Sequence, residues 1–220
     1  MRLIELNHVI EDGMITYKGL PAPIICDYLS RAASRGNYDG GAEFQIGRID
    51  MVSNTGTYLD TPFHRYADGD DLAAMSLDRV TALRGCVVRA ATNCAIRAES
   101  FEGLDVRGMA VLIHTGWDRH WRTDAYFEGH PYLTAGAAEA LRDAGAALVG
   151  IDSHNIDDTT GKARPVHTIL LGAGIPIVEH MTGLGALPDS GFIFHAAPPR
   201  IKGMGTFPVR AHAIIADEIV

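Results

Sequence analysis

Cysteine is scarce in this chain. Its 220 residues hold three, Cys26, Cys86 and Cys94, and no two form a CxxC pair. An odd, sparse count excludes a disulfide framework and points to a reducing compartment. Basic runs are missing too: 19 Lys and Arg face 27 Asp and Glu, for a formal net charge of −8. Nucleic acid and anionic membrane surfaces are therefore not expected as partners. No segment approaches ~18 uninterrupted apolar residues, so no membrane span is expected. The opening Met1-Arg2-Leu3-Ile4-Glu5 lacks a signal-peptide core, and a cytoplasmic location is expected. GxSxG, P-loop and dinucleotide fingerprints are all absent from the sequence. This argues against serine-hydrolase and nucleotide-dependent chemistry.

What is there describes an ordinary soluble globular chain, 47% hydrophobic and 21% charged. No repeat or low-complexity linker divides it, and one domain over residues 1–220 is expected, with an ample core. Gly19-Leu20-Pro21-Ala22-Pro23 reads as part of a turn-rich arm over residues 13–25, residues 28–42 as a polar, mobile loop, and residues 43–52 as a strand entering the signature stretch that ends at His64.

The second half has a clear rhythm. Val111-Leu112-Ile113-His114-Thr115 is a short apolar strand ending at Gly116. Thr134 is a good N-cap for a helix over 135–144, with Gly145 as its C′ residue. Ala147–Ile151 is the next strand, a short helix carries His167, and Ile175–Val178 is a third strand, ending at Glu179. Residues 193–197 and 209–215 read as closing strands. Strand–helix–strand alternation predicts parallel crossovers. The fold class is α/β, with a central mixed sheet and peripheral helices. Ligands in such sheets gather beyond the carboxyl ends of the strands, where Trp117, Asp118, Asp152, Ser153 and Glu179 fall.

Two distant stretches carry the chemistry. Ser53 to His64 and His167 to Glu179 together supply two carboxylates and two imidazoles, Asp60, His64, His167 and Glu179. The set suits a divalent metal or an acid–base pair. Asn54, Tyr58, Asp60 and His64 are all even-numbered, so an extended strand would turn them to one face, with Pro62 at its end. Plainer readings stand beside this one. Asp60 could belong to a turn before Pro62, and His64 could satisfy a local hydrogen bond. Asp152 and Ser153 could cap a helix, His154 could border the pocket, and Trp117 could pack on Trp121. Gly56 is better explained by backbone geometry than by chemistry.

The stretch Asn54-Thr55-Gly56-Thr57-Tyr58-Leu59-Asp60-Thr61-Pro62-Phe63-His64 resembles the signature of the cyclase family, His-x-Gly-Thr-His-x-Asp-x-Pro-x-His. That family of metal-dependent hydrolases includes bacterial kynurenine formamidase and isatin hydrolase. Glu11-Asp12-Gly13-Met14, Val111 to Trp117 and Gly150-Ile151-Asp152-Ser153 extend the likeness over nearly the whole chain. The resemblance implies that Asp60 binds metal, that His64 is the catalytic base, and that His167 and Glu179, twelve residues apart, complete a metal site. It also implies the family's swivelling α/β fold and a homo-oligomer, a dimer or tetramer. The chain departs from the pattern where Asn54 and Tyr58 replace two signature histidines. Those histidines belong to the family's first metal site, so that site is expected to be absent here. Asn54 and Tyr58 either refill the vacated space or contact substrate, with Tyr58 as a hydrogen-bond donor.

The expected function is thus a metal-dependent hydrolase, an amidase or lactonase acting on a small-molecule substrate. One Mn²⁺ or Zn²⁺ ion would be held by Asp60, His167 and Glu179, with water completing its shell. Two other classes stay open: a metal-independent lyase, isomerase or cyclase, and a non-catalytic protein that binds a small ligand.

Overall fold

Val111, Leu112 and Ile113 are consecutive and fully buried. A strand with no exposed face must be covered on both sides. It lies near the middle of a nine-stranded sheet in a computed structural model that describes residues 1–90 and 94–216. The sheet strands are β1 (Arg2–Glu5), β2 (Tyr58–Asp60), β3 (Leu83–Arg89), β4 (Ala110–His114), β5 (Leu148–Ile151), β6 (Ile177–Glu179), β7 (Ser190–His195), β8 (Thr206–Pro208) and β9 (His212–Ile215). Their spatial order is β1-β9-β7-β3-β4-β5-β6-β2-β8. β3, β4, β5 and β6 run parallel to one another. The flanking strands are antiparallel, so the sheet is mixed, as expected.

Two helices serve the parallel crossovers: α1 (Ala135–Asp143) before β5 and α2 (Pro165–Gly172) before β6. The Thr134 hydroxyl accepts the Ala137 N–H, and Gly145 takes φ +78°, so the cap and stop read from sequence are both in place. The strand period sorts the core. Val111, Ile113, Val149, Ile151 and Ile177 pack with Leu141 of α1 and Leu170 of α2. Ala110, Leu112, Leu148 and Val178 face the other way, against Leu59, Phe192 and Phe194. Among the described residues, no helix is long and apolar enough to cross a membrane.

Two readings need correction. The strand within residues 43–52 exists as Ile46–Asp50, but it does not enter the signature. It pairs with Ile24–Leu29 in a separate two-stranded ribbon. The ribbon's first strand, a helical turn at Arg31–Ser34 and a 3₁₀ turn at Asp39–Gly41 also occupy most of the segment read as a loop. The second correction concerns the tryptophans. Trp121 stacks on His8 with ring centroids 4.0 Å apart, while Trp117 leans on His120 at 4.6 Å.

Candidate active site

The signature is extended only over β2, three residues long. Tyr58 and Asp60 share a face of that strand, as the period of two requires. Asn54 lies in the preceding loop and His64 in the 3₁₀ turn Pro62–His64, so the single strand expected to carry all four does not form. The chain bends at two places. Gly56 sits at φ +65° with its N–H on the Thr16 hydroxyl, 2.8 Å away, the left-handed conformation that favours glycine. Gly205 is pressed against the turn that carries His64. A Cβ there would lie 2.3 Å from the His64 backbone nitrogen.

Register supplies the neighbours. Glu179 on β6 pairs with Tyr58, and Thr206 on β8 pairs with Asp60. One face across β6, β2 and β8 therefore presents Glu179, Tyr58, Asp60 and Thr206. His167, the third residue of α2, adds its imidazole. His167 Nε2 lies 3.7 Å from Asp60 Oδ2 and 3.8 Å from Glu179 Oε1. Asp60, His64 and His167 can each place a donor atom within 4.8 Å of one another. The four residues named from the sequence thus converge, although more than a hundred positions separate the two stretches.

Hydrogen bonds fix both imidazoles. His167 Nδ1 is 2.6 Å from Asp157 Oδ2. Once its second proton is displaced, the ring still donates its Nδ1–H to that carboxylate and turns the Nε2 lone pair toward Asp60 and Glu179. Asp157 also accepts the backbone N–H groups of Val166 at 2.8 Å and His167 at 3.1 Å, closing the start of α2, where Arg164 offers no side-chain cap. His64 Nδ1 lies 2.8 Å from the Thr206 hydroxyl, which donates to Asp60 Oδ1. The hydroxyl's one proton is committed to the carboxylate, so His64 Nδ1 must be the donor to Thr206. Its Nε2 is then the basic nitrogen, on a side chain that is 36% exposed in the cavity wall.

Glu179 Oε1 accepts the Ile156 N–H at 2.7 Å, and Oε2 accepts the Tyr58 hydroxyl at 2.7 Å. Burial raises the Tyr58 phenol well above its usual range, which keeps it a neutral donor. Burial likewise raises the Glu179 carboxyl, to about 7. Burial would lower His167, but Glu179, Asp157 and Asp60 outweigh it and hold the imidazole up at about 10. An incoming cation must therefore displace a proton, which makes its affinity rise with pH.

The donor set matches the spacing a divalent metal ion requires. Ligand atoms around a four-coordinate ion at ~2.1 Å stand about 3.4 Å apart. The 3.7 and 3.8 Å separations from His167 Nε2 are close to that. Asp60 Oδ2 is buried with no hydrogen-bond partner, an anionic oxygen that a cation would satisfy. Two carboxylates and an imidazole make a usual divalent set, so the residues fit.

These groups lie at or beneath the walls of a cavity of about 290 Å³, which Asn54, Tyr58, His64, His167 and Glu179 help to line. Several participants were not read from sequence. Tyr17 reaches the cavity from the arm, and its hydroxyl donates to the His154 carbonyl. Asn155, Arg65 and Arg164 line it as well. Asp157 gave no signal, because its partner is ten residues away across a loop. Thr206 gave none, because only strand register brings it to Asp60. Asp152 is a buried brace instead: its carboxylate accepts the N–H groups of Thr115 and Gly116 at 2.8 and 2.9 Å. His154 is buried behind the cavity, 5.6 Å from His180 by ring centroids.

Known proteins share this framework. Kynurenine formamidase of Geobacillus thermodenitrificans is 28% identical over 180 residues, 81% of this chain and 84% of that protein. The enzyme of the same name from Bacillus cereus strain ATCC 14579 is 27% identical over 76% of this chain and 78% of its own. Isatin hydrolase A from Labrenzia aggregata superposes with a TM-score of 0.82 at 19% identity, covering 98% of this chain and 94% of its own, which shows a common fold. A structure described as a predicted metal-dependent hydrolase from Bacillus stearothermophilus gives 0.74 at 25% identity, over 96% and 97% of the two chains. The profile of the family described as Putative cyclase matches residues 4–158, the span that carries the signature and more than half of the sequence, and the chain belongs to that family.

Proposed function

We propose that this protein is a hydrolase that uses one divalent metal ion to cleave the C–N bond of a small amide, with lactone C–O bonds as a second class of substrate. The observation that carries the reading is the buried, unpartnered Asp60 Oδ2 facing His167 Nε2 beside a cavity whose wall holds a basic His64. Asp60, His167 and Glu179 would hold the ion. When bound, it supplies Lewis-acid polarisation of the carbonyl and a lower pKa for water. His64 Nε2 accepts a proton from the attacking water as the O–C bond forms. It returns that proton to the leaving nitrogen as the C–N bond breaks. The Thr206 and Asp60 hydrogen bonds keep its ring in the tautomer this requires. Tyr58 and Asn54 occupy the places of the two signature histidines. The Tyr58 hydroxyl orients Glu179, and Asn54 offers its amide to the substrate.

The test is metal analysis paired with turnover. Protein incubated with Mn²⁺ or Zn²⁺ is expected to retain one ion per chain and to hydrolyse members of a panel of aryl formamides, cyclic amides and lactones. Failure to retain either metal would overturn the reading in favour of metal-free chemistry. Two tightly held ions would show that Asn54 and Tyr58 do not abolish the first site.

We also propose a homo-oligomer. Large apolar side chains are exposed on the ribbon: Ile24 at 58%, Tyr28 at 75% and Ile49 at 58%. Large apolar side chains left in water on a two-stranded ribbon are candidates for burial against a second chain. Light scattering at micromolar concentration is expected to give a multiple of the 23.7 kDa chain mass. The mass of a single chain would refute it.

A further inference from the structure

We infer that Tyr17 is a catalytic residue, whose hydroxyl donates a hydrogen bond to the oxyanion formed when water attacks the substrate carbonyl. The inference rests on the hydrolase reading and adds a group to its chemistry.

Among the described residues, Tyr17 and Tyr58 are the hydroxyl-bearing side chains in the cavity wall. Tyr58 is committed, because its proton goes to Glu179 Oε2 at 2.7 Å. Tyr17 is not. Its proton goes to the His154 carbonyl across 3.2 Å, beyond the ~2.5–3.0 Å usual for a hydroxyl donor. An oxygen that gains negative charge takes the proton from so long a bond at little cost, and forms a stronger one. The Tyr17 oxygen is held from its other side, where it accepts the Asn155 side-chain N–H. Asn155 is oriented in turn, because its Oδ1 accepts the Asp157 N–H at 2.9 Å. Accepting that bond polarises the phenol and strengthens it as a donor. A phenol titrates near ~10 and burial raises this one further, so the proton is present at neutral pH.

The chain also fixes where the hydroxyl sits. Thr16 is buried, and its hydroxyl accepts the Gly56 N–H of the signature stretch at 2.8 Å. Lys18 pairs with Asp124 at 3.1 Å. Between these two anchors the Tyr17 ring leans on His154, with centroids 4.4 Å apart. Asn155 directly precedes Ile156, whose N–H holds Glu179 Oε1 at 2.7 Å. Consecutive residues therefore hold Tyr17 and Glu179, which puts the phenol beside the carboxylate of the reacting centre. A donor fixed before charge develops needs no reorganisation during the reaction. In the step itself the water oxygen bonds to the carbonyl carbon, and the C=O π pair moves onto oxygen. His64 holds the water's proton. On collapse the pair returns, the C–N bond breaks and the nitrogen takes that proton. The O–H bond of Tyr17 stays intact throughout.

The experiment has a turnover arm and a binding arm, both on metal-loaded protein. Tyr17→Phe keeps the ring on His154 and removes only the oxygen. Its kcat on the best substrate of the amide panel is expected to fall by about 10²–10³-fold, with KM and metal content nearly unchanged. A raised KM at unchanged kcat, or loss of metal, would make Tyr17 a structural support and overturn the inference. Asn155→Asp is the second variant, decisive if the first does not fold. It keeps the oxygen that accepts the Asp157 N–H, but its carboxylate captures the Tyr17 proton, so kcat should fall again. Undiminished kcat in either variant would sink the inference while the hydrolase reading stands. In the binding arm, calorimetry compares methyl phenylphosphonate, a stable tetrahedral anion, with benzamide, which is planar and neutral. Tyr17→Phe should weaken the phosphonate by about 10–100-fold, the range for one charge-assisted bond, and leave benzamide unchanged. No phosphonate binding by the parent, or equal binding by parent and variant, would overturn the inference. If the parent cleaves no member of the panel, the hydrolase reading fails instead, and the calorimetry still decides whether Tyr17 grips a tetrahedral anion.

Discussion

His64→Ala is expected to cut turnover by about 10²–10⁴-fold, the loss typical of a removed acid–base group. Metal content and melting temperature should stay close to those of the parent. The distinction matters, because geometry allows two roles. His64 can reach a common point with Asp60 and His167, as a ligand would. Yet its Nδ1 is already engaged by Thr206, and its ring forms part of the cavity wall. Those two facts favour the base. Loss of the ion together with activity would make His64 a ligand instead, and full activity would remove it from the mechanism. His64→Gln is the companion variant: it keeps a hydrogen-bonding group but cannot take and return a proton at neutral pH, so it should be nearly as impaired.

Asp60→Asn is expected to do more. It keeps the shape of the side chain and an oxygen to accept the Thr206 hydroxyl, so folding should survive. It removes the anionic oxygen that no protein donor satisfies. Metal affinity should fall by more than about 100-fold, beyond the ~10–100-fold typical of losing a group that merely orients a ligand. Activity should fall with it. Asp157→Asn sets the scale. It weakens the orientation of His167 but removes no ligand, so its loss of affinity should stay within ~10–100-fold. Equilibrium dialysis of the three proteins against Zn²⁺ or Mn²⁺ gives the ranking directly. An Asp60→Asn protein that binds metal like the parent would remove Asp60 from the site. Equal losses for the two variants would mean that Asp157 does more than orient.

Local patterning made much of the architecture legible in the sequence. Thr134 and Gly145 bracket α1 as read, and the apolar runs before His114, Asp152 and Glu179 are β4, β5 and β6. These features depend on neighbours a few positions apart, through capping hydroxyls, glycine backbone freedom and side-chain alternation. Asp60, His64, His167 and Glu179 were also nameable, because their residue types and spacing match a signature.

Other features depended on pairings that local sequence does not encode. Residues 46–50 have the composition of a strand, but that composition does not say whether the partner is the main sheet or Ile24–Leu29. The contact between Thr206 and Asp60 follows from the register of β8 on β2, and one residue of slip would turn Thr206 to the other face. The side chain that holds His167 in its tautomer is Asp157, which no motif marks. Arg65 and Arg164 come to one cavity only after the sheet and α2 are assembled. Residue types and short-range spacing determined which groups could do chemistry. Long-range strand pairing and helix packing decided which of them meet and which hydrogen bonds hold them, because those contacts join residues more than a hundred positions apart.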